Sequence, residues 1–328
     1  MRFSLVKEGR KGWLDVLRGL AILLVVYGHH VGDCPGFFLY SSPVKIPLFF
    51  AISGYLLNSE RTLVDFMKRM ARTLIVPWLL LGIARVLFLM PFRGWDYFGT
   101  GVIRLLTGDD LWFMPCFILA EILHFLLRKY CHPTWLLVLL SFAAFAAGLF
   151  LHRIGWLNIC MVNRALSVQP FFLTGYFFRR YEDVLIRMKW GYILLGALAY
   201  TGLCFLAPYL FPSFELDVHR NLFVCPPYCL ALIFLGCTTL FIAARKALVN
   251  TPVLRFCGQN TLVIYLWSGG AAEILARGIS YWGWTLPENV WTAFLFLVWA
   301  CITCAFCSVL LRRYLPWTVG EKPLSRSH

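Results

Sequence analysis

The sequence predicts an all-α fold: a polytopic integral-membrane bundle of about ten transmembrane helices with both termini cytoplasmic. Composition comes first, because 60% of the 328 residues are hydrophobic and only 14% are charged, where a soluble domain carries about a quarter charged residues. Apolar runs then recur from Val16 to Leu311 with short polar stretches between them, leaving no room for a second soluble domain of ordinary size. The third observation is the distribution of basic residues over the intervening loops.

Taken in order, the runs long enough to approach a bilayer crossing are 14–31, 44–58, 71–90, 111–128, 134–152, 165–181, 190–211, 222–244, 258–277 and 290–313. Pro47, Pro77, Pro115 and Pro170 fall inside four of them, which a membrane helix tolerates where neighbouring helices satisfy the freed backbone groups. With the N-terminus placed inside, alternate loops and helix ends collect 22 of the 30 basic residues on one side, from Arg2, Lys7, Arg10 and Lys11 to Arg312, Arg313, Lys322 and Arg326. The other side holds seven (Lys45, Arg93, Arg104, Arg153, Arg164, Arg220 and Arg277), and Arg85 lies within a span. Lys and Arg near helix ends are retained in the cytoplasm, so this asymmetry supports an even number of spans.

One membrane domain is therefore expected over 1–328, with a basic cytoplasmic tail at 1–12 and a second cytoplasmic tail at 316–328. The basic residues before the first apolar run resemble a signal peptide, but no small-x-small cleavage site follows, so a permanent first span is expected. The net charge of +14 would suggest nucleic acid in a soluble protein. Here the positive-inside bias accounts for it, and no nucleic-acid partner is expected. Most of the twelve Cys residues stand in apolar runs, where Cys behaves as a small hydrophobe. The spacing Cys301-x-x-Cys304-x-x-Cys307 lacks a fourth ligand and lies in the last span, so no metal is expected. No internal repeat is evident.

The first span carries the most informative pair. Arg18 and His29 are eleven positions apart, close to three turns at 3.6 residues each, so they share a helix face about 16 Å apart along the axis. His30 is turned about 100° away. The plain alternative is that Arg18 snorkels to the interface and His29 is a hydrogen-bonded core residue, but ionisable groups inside a membrane are costly and point to function. Glu121, Glu273 and Arg85 are the other ionisable residues within spans, open to mutual pairing as much as to catalysis. Ser53 and Asn58 in the second span could face a cavity or bond between helices, and Glu215, Asp217 and His219 form a polar cluster on an external loop. Trp112, Tyr176, Tyr265 and Trp267 could stack on a sugar ring or belong to interfacial aromatic belts.

Asp15-x-x-Arg18-Gly followed by His29 resembles the Arg-x10-His signature of membrane acyltransferase family 3, the polytopic O-acetyltransferases of surface polysaccharides, fucose 4-O-acetylase-like members included. In the order that resemblance requires come Ile46-Pro-Leu-Phe-Phe-Ala-Ile-Ser-Gly-Tyr-Leu56, Arg69-Met-Ala-Arg72, Leu111-Trp-Phe-Met-Pro115, Phe172-Leu-Thr-Gly-Tyr176 and Gly258-Gln-Asn-Thr-Leu-Val-Ile-Tyr265. The sequence departs from the family's pattern at Lys45 and Ser268, where many members have His.

The resemblance implies a multi-pass protein of a bacterial cytoplasmic membrane, with acetyl-CoA or another acyl-CoA as donor substrate, no bound cofactor, and a sugar or lipid-linked glycan as acceptor. It implies His29 and Arg18 as catalytic residues. Arg18, Arg69 and Arg72 would meet the phosphates of the donor, since guanidinium binds phosphate bidentately and stays charged when partly desolvated. Asp15, Ser53 and Glu121 would support them. His29 would take the proton of the acceptor hydroxyl or would itself be acylated first, and the sequence leaves both open. A proton-coupled secondary transporter is the competing class, since buried Glu, Arg and His also suit a carrier. Transporters, however, often carry two related halves, which are not seen here.

Overall fold

Apolar segments of this length fold as helices because a helix satisfies its own backbone hydrogen bonds where water cannot. The computed structural model describes residues 11–156, 159–247, 251–287 and 289–319. The expected tails fall largely on 1–10 and 320–328, outside the described residues. The helices are α1 (Gly12–Gly28), α2 (Pro35–Lys45), α3 (Pro47–Leu56), α4 (Leu63–Met70), α5 (Val76–Arg93), α6 (Tyr97–Thr107), α7 (Phe113–Tyr130) and α8 (Thr134–Arg153), followed by α9 (Val162–Ser167), α10 (Gln169–Arg180), α11 (Glu182–Arg187), α12 (Trp190–Leu210), α13 (Pro226–Lys246), α14 (Pro252–Gln259), α15 (Thr261–Tyr281) and α16 (Val290–Tyr314). A short antiparallel hairpin, β1 (Leu216–Asp217) and β2 (Leu222–Phe223), lies in the α12–α13 connection, where an external loop and, from 222, the eighth span were expected.

Seven helical segments among the described residues are long and apolar enough to cross a membrane: 35–56, 63–93, 134–153, 190–210, 226–246, 261–281 and 290–314. Ten spans were expected, and the other three correspond to α1, α7 and the α9–α10 pair. Helix α1 has 17 residues, α7 carries Glu121, Arg128 and Lys129, and the third is broken into segments of 6 and 12 residues. These are short, polar or interrupted where they sit inside the bundle, since protein rather than lipid meets their polar groups. Two boundaries also move. The second span begins at Pro35 rather than 44, and the third at Leu63 rather than 71. In the third, a π-helical turn at Ala71–Ile75 precedes Pro77, whose missing N–H cannot bond the carbonyl four residues back.

Close backbone contact fixes the centre of the bundle. A Cβ on Gly54 of α3 would lie 2.1 Å from the Phe172 carbonyl oxygen of α10, and one on Gly175 of α10 would lie 1.7 Å from the Ala51 oxygen of α3. The same reciprocity joins α1 to α14, where a Cβ on Gly19 would lie 1.9 Å from the Leu254 oxygen and one on Gly258 would lie 1.7 Å from the Asp15 oxygen. Small residues let membrane helices approach this way without a solvent-driven force between them. Helices α8, α12 and α16 form the periphery: Leu139, Leu194, Leu198, Ile302 and Phe306 are exposed, as side chains facing lipid should be.

At one end of the molecule basic residues gather around the C-terminus of α3. Arg179 donates to the carbonyls of Tyr55 and Leu57 at 3.3 Å, and Arg128 donates to that of Leu57 at 3.2 Å. Lys129 reaches the Arg61 carbonyl at 2.7 Å. Such bonds satisfy carbonyls that a helix end leaves unpaired and suit its negative pole.

Candidate active site

Helix α1 joins two cavities. Arg18 lines one of about 430 Å³ and His29 one of about 680 Å³, and eleven residues of helix separate them by about 16 Å. His30 turns away and stacks on Phe296 of α16, ring centroids 4.7 Å apart.

In the Arg18 cavity, Nη1 of Arg18 lies 3.2 Å from Oδ1 of Asp15. Asp15 is only 1% exposed, and that partner offsets the cost of burying its carboxylate. The Gln259 side chain also donates to Asp15, at 3.4 Å. This contact follows from the glycine-mediated approach of α14 to α1. Arg61 and Arg69 complete a cationic lining, and Ser53, Asn58 and Glu121 add polar groups. Glu121 stands in the same lining as Ser53, Arg69 and Arg18. Thr73, from the π-helical turn, lines the same space.

The His29 cavity is lined by α1, α2 and the α12–α13 connection, with Lys45, Trp112, Asp217 and His219 among its walls. Asp217 orders the connection by accepting from the backbone N–H of His219 at 2.8 Å and of Arg220 at 3.1 Å. The His219 ring packs on Trp112 with centroids 4.9 Å apart. Burial holds the His219 imidazole below its ordinary value, helped by Arg164 and Arg220 and opposed by Asp217. Uncharged, it can serve with Trp112 as an aromatic platform.

Phe113 and Tyr265 line both cavities. Their rings meet edge to face at 5.6 Å, and the Tyr265 hydroxyl accepts from the Phe113 N–H at 3.2 Å. They form the shared wall between a cationic chamber and an aromatic, polar one.

Of the residues singled out from sequence, Arg18, Asp15, Ser53, Glu121 and Arg69 are brought together at one chamber and His29 at the other. Arg72 is exposed on the π-helical turn and does not line the Arg18 cavity. The turn adds a residue between Arg69 and the rest of the helix, so the spacing of these two does not place both inward. Arg85 and Glu273 find other partners: Arg85 pairs with Asp110 at 2.5 Å, and Glu273 with Arg93 at 2.6 Å and Arg277 at 2.9 Å. Sequence reasoning gave no functional reading to Arg61 or Gln259, whose short polar stretches look like any loop or helix end. It also missed Glu182, which accepts from the Tyr55 hydroxyl at 2.6 Å and from Arg245 at 3.0 Å. Tyr55 belongs to the Ser-Gly-Tyr stretch, but nothing in the sequence links it to residue 182.

A core of backbone-packed helices holding an arginine chamber and a histidine chamber on one helix defines a multi-pass membrane protein with a two-compartment site. A family model described as an acyltransferase domain, that of acyltransferase family 3, matches residues 11–313, and the chain belongs to that family. The protein is an acyltransferase. No curated protein and no solved structure matches it.

Proposed function

We propose that the protein is an O-acyltransferase, most simply an O-acetyltransferase, that carries an acyl group from cytoplasmic acyl-CoA to a hydroxyl of a sugar or lipid-linked glycan. The observation that carries this reading is the pair of cavities on α1 with Phe113 and Tyr265 as their common wall. Arg18, Arg61 and Arg69 suit the phosphates of the donor, and the loop-by-loop charge bias supports a cytoplasmic Arg18 chamber with both termini on that side. The wall then marks where the thioester at the end of an extended arm meets the second chamber.

In that chamber neutral His29 accepts the proton of the acceptor hydroxyl as its oxygen attacks the thioester carbonyl. The new C–O bond forms, the C–S bond breaks, and the coenzyme leaves as a thiolate that regains the proton. Trp112 and His219 offer a face for a sugar ring. Asp15 and Gln259 hold Arg18 in place, and Glu121 adds a polar group to the same lining. A bacterial cytoplasmic membrane is the compartment this reading implies.

The test is acyl transfer from labelled acetyl-CoA in membranes containing wild type, His29→Ala or His30→Ala. Label should reach a glycan or lipid-sugar fraction with wild type and His30→Ala, and fall at least 100-fold with His29→Ala, in keeping with the loss of a general base. Equal transfer by both variants would overturn the assignment of His29.

A further inference from the structure

The carboxylates of the His29 cavity are largely engaged, whereas one cation there is not. Glu215 is paired with Arg220 at 2.5 Å, and Asp217 is occupied by two backbone N–H groups. Asp33 stands exposed on the α1–α2 connection at the rim. Lys45, at the end of α2 and half-buried, lines the same cavity, and among the described residues no carboxylate lies within 4.0 Å of its ammonium.

Its nearest neighbours are aromatic rings, and the Asp217 carboxylate across the cavity attracts it from farther off. The ammonium lies 4.7 Å from the ring centre of Phe38 and 5.8 Å from that of Phe37. It reaches across to α1, where a Cβ on Gly28 would stand 3.6 Å away. Gly28 immediately precedes His29, so the ammonium stands next to the backbone that carries the imidazole. Aromatic faces attract a cation but offer it no lone pair, and they shed water from that side. A cation held half-buried in this way, with no direct ion pair, favours an anionic oxygen presented from the cavity.

We propose that Lys45 anchors an anionic group of the acceptor, a carboxylate or a phosphate ester, and so presents an adjacent hydroxyl to His29. This rests on the acyl-transfer reading and adds the class of acceptor: acidic sugars or sugar phosphates in preference to neutral ones. The anion also balances the imidazolium that forms when His29 takes the hydroxyl proton, which a neutral acceptor beside Lys45 would not do. Lys45 is thus a specificity-determining residue rather than a participant at the reacting carbonyl.

The experiment uses the full chain in detergent, with labelled methyl glucuronide, glucose 1-phosphate and methyl glucoside as probes of binding and as acceptors for acetyl-CoA. Wild type should bind one or both anionic probes about tenfold or more tightly than the neutral one, as expected for a charged hydrogen bond. The first two arms distinguish carboxylate from phosphate. Lys45→Gln should abolish that preference by raising the anionic Kd and KM while leaving the neutral values within twofold, and Lys45→Arg should largely keep it.

Absence of any preference in wild type, or its persistence in Lys45→Gln with normal yield and elution, overturns the proposal. So does a fall in kcat on all acceptors alike, which would assign Lys45 to the thioester oxygen. Anion-selective binding without transfer would remove the acyl-transfer reading and leave the anion site standing, while transfer without selectivity would do the reverse.

Discussion

At the scale of single residues, three arginines from one short stretch of the sequence part company in space. Arg61 and Arg69 line the cavity beside Arg18, and Arg72 does not. Removing either lining guanidinium should raise the KM for acyl-CoA by about 10-fold or more, since a charged hydrogen bond is worth roughly 1.5–3 kcal/mol. Arg72→Ala should leave it within twofold. Steady-state kinetics in membranes separates the three, and an Arg72 effect as large as that of Arg61 would move the phosphate site out of this chamber. Glu182 shows the opposite case, a residue with no sequence signal. Burial opposes its charge, but hydrogen bonds from Tyr55 and Arg245, with Lys11 nearby, hold its carboxyl below the ordinary value. Its partners stand 127 and 63 residues away, a separation that only folding closes.

At the scale of elements, two helix crossings position the site, and both depend on glycine. Gly175 of α10 has the Ala51 carbonyl where its own Cβ would be, so Gly175→Ala forces α3 and α10 apart. The expected cost is on the order of 3 kcal/mol, the upper range for overpacking, with Ser53 displaced from the cavity it lines. Gly202 in the interior of α12 has nothing within 4 Å, so Gly202→Ala should be neutral or slightly stabilising. Thermal inactivation of the solubilised protein compares them, and similar midpoints for the two variants would contradict the crossing. The sequence contained a hint of this arrangement. Pro47-Leu-Phe-Phe-Ala-Ile-Ser-Gly-Tyr55 and Pro170-Phe-Phe-Leu-Thr-Gly-Tyr176 are alike, and they form the two sides of one reciprocal contact. A likeness confined to so few residues does not register as a repeat.

At the scale of the whole molecule, the proposed acyl transfer requires one orientation in the membrane. With the α3 end of the molecule cytoplasmic, Cys131 at the α7–α8 link should face the cytoplasm and Cys34 at the α1–α2 link the opposite side. Both are partly exposed. A membrane-impermeant thiol reagent applied to intact cells should modify Cys34 and reach Cys131 only after permeabilisation, read by mass spectrometry of the labelled peptides. Labelling of Cys131 from outside would invert the topology and with it the assignment of donor and acceptor chambers.

The sequence by itself determined the solvent in which this chain folds and singled out the helix that joins its two cavities. Composition and apolar run length exclude a soluble core, and an eleven-residue interval puts Arg18 and His29 on one face because helical geometry is local. Apolar length also read the peripheral helices well, since lipid demands it of them. It was a poor guide to α1, α7 and α9–α10, whose polar and broken stretches face protein instead. Only the tertiary structure decided which residues share a chamber: that Arg61 joins Arg18, that Phe113 and Tyr265 divide the two spaces, and that Lys45 comes to rest beside Gly28. These are contacts between segments far apart in the chain, set by how closely backbones can approach, and no local pattern encodes that distance.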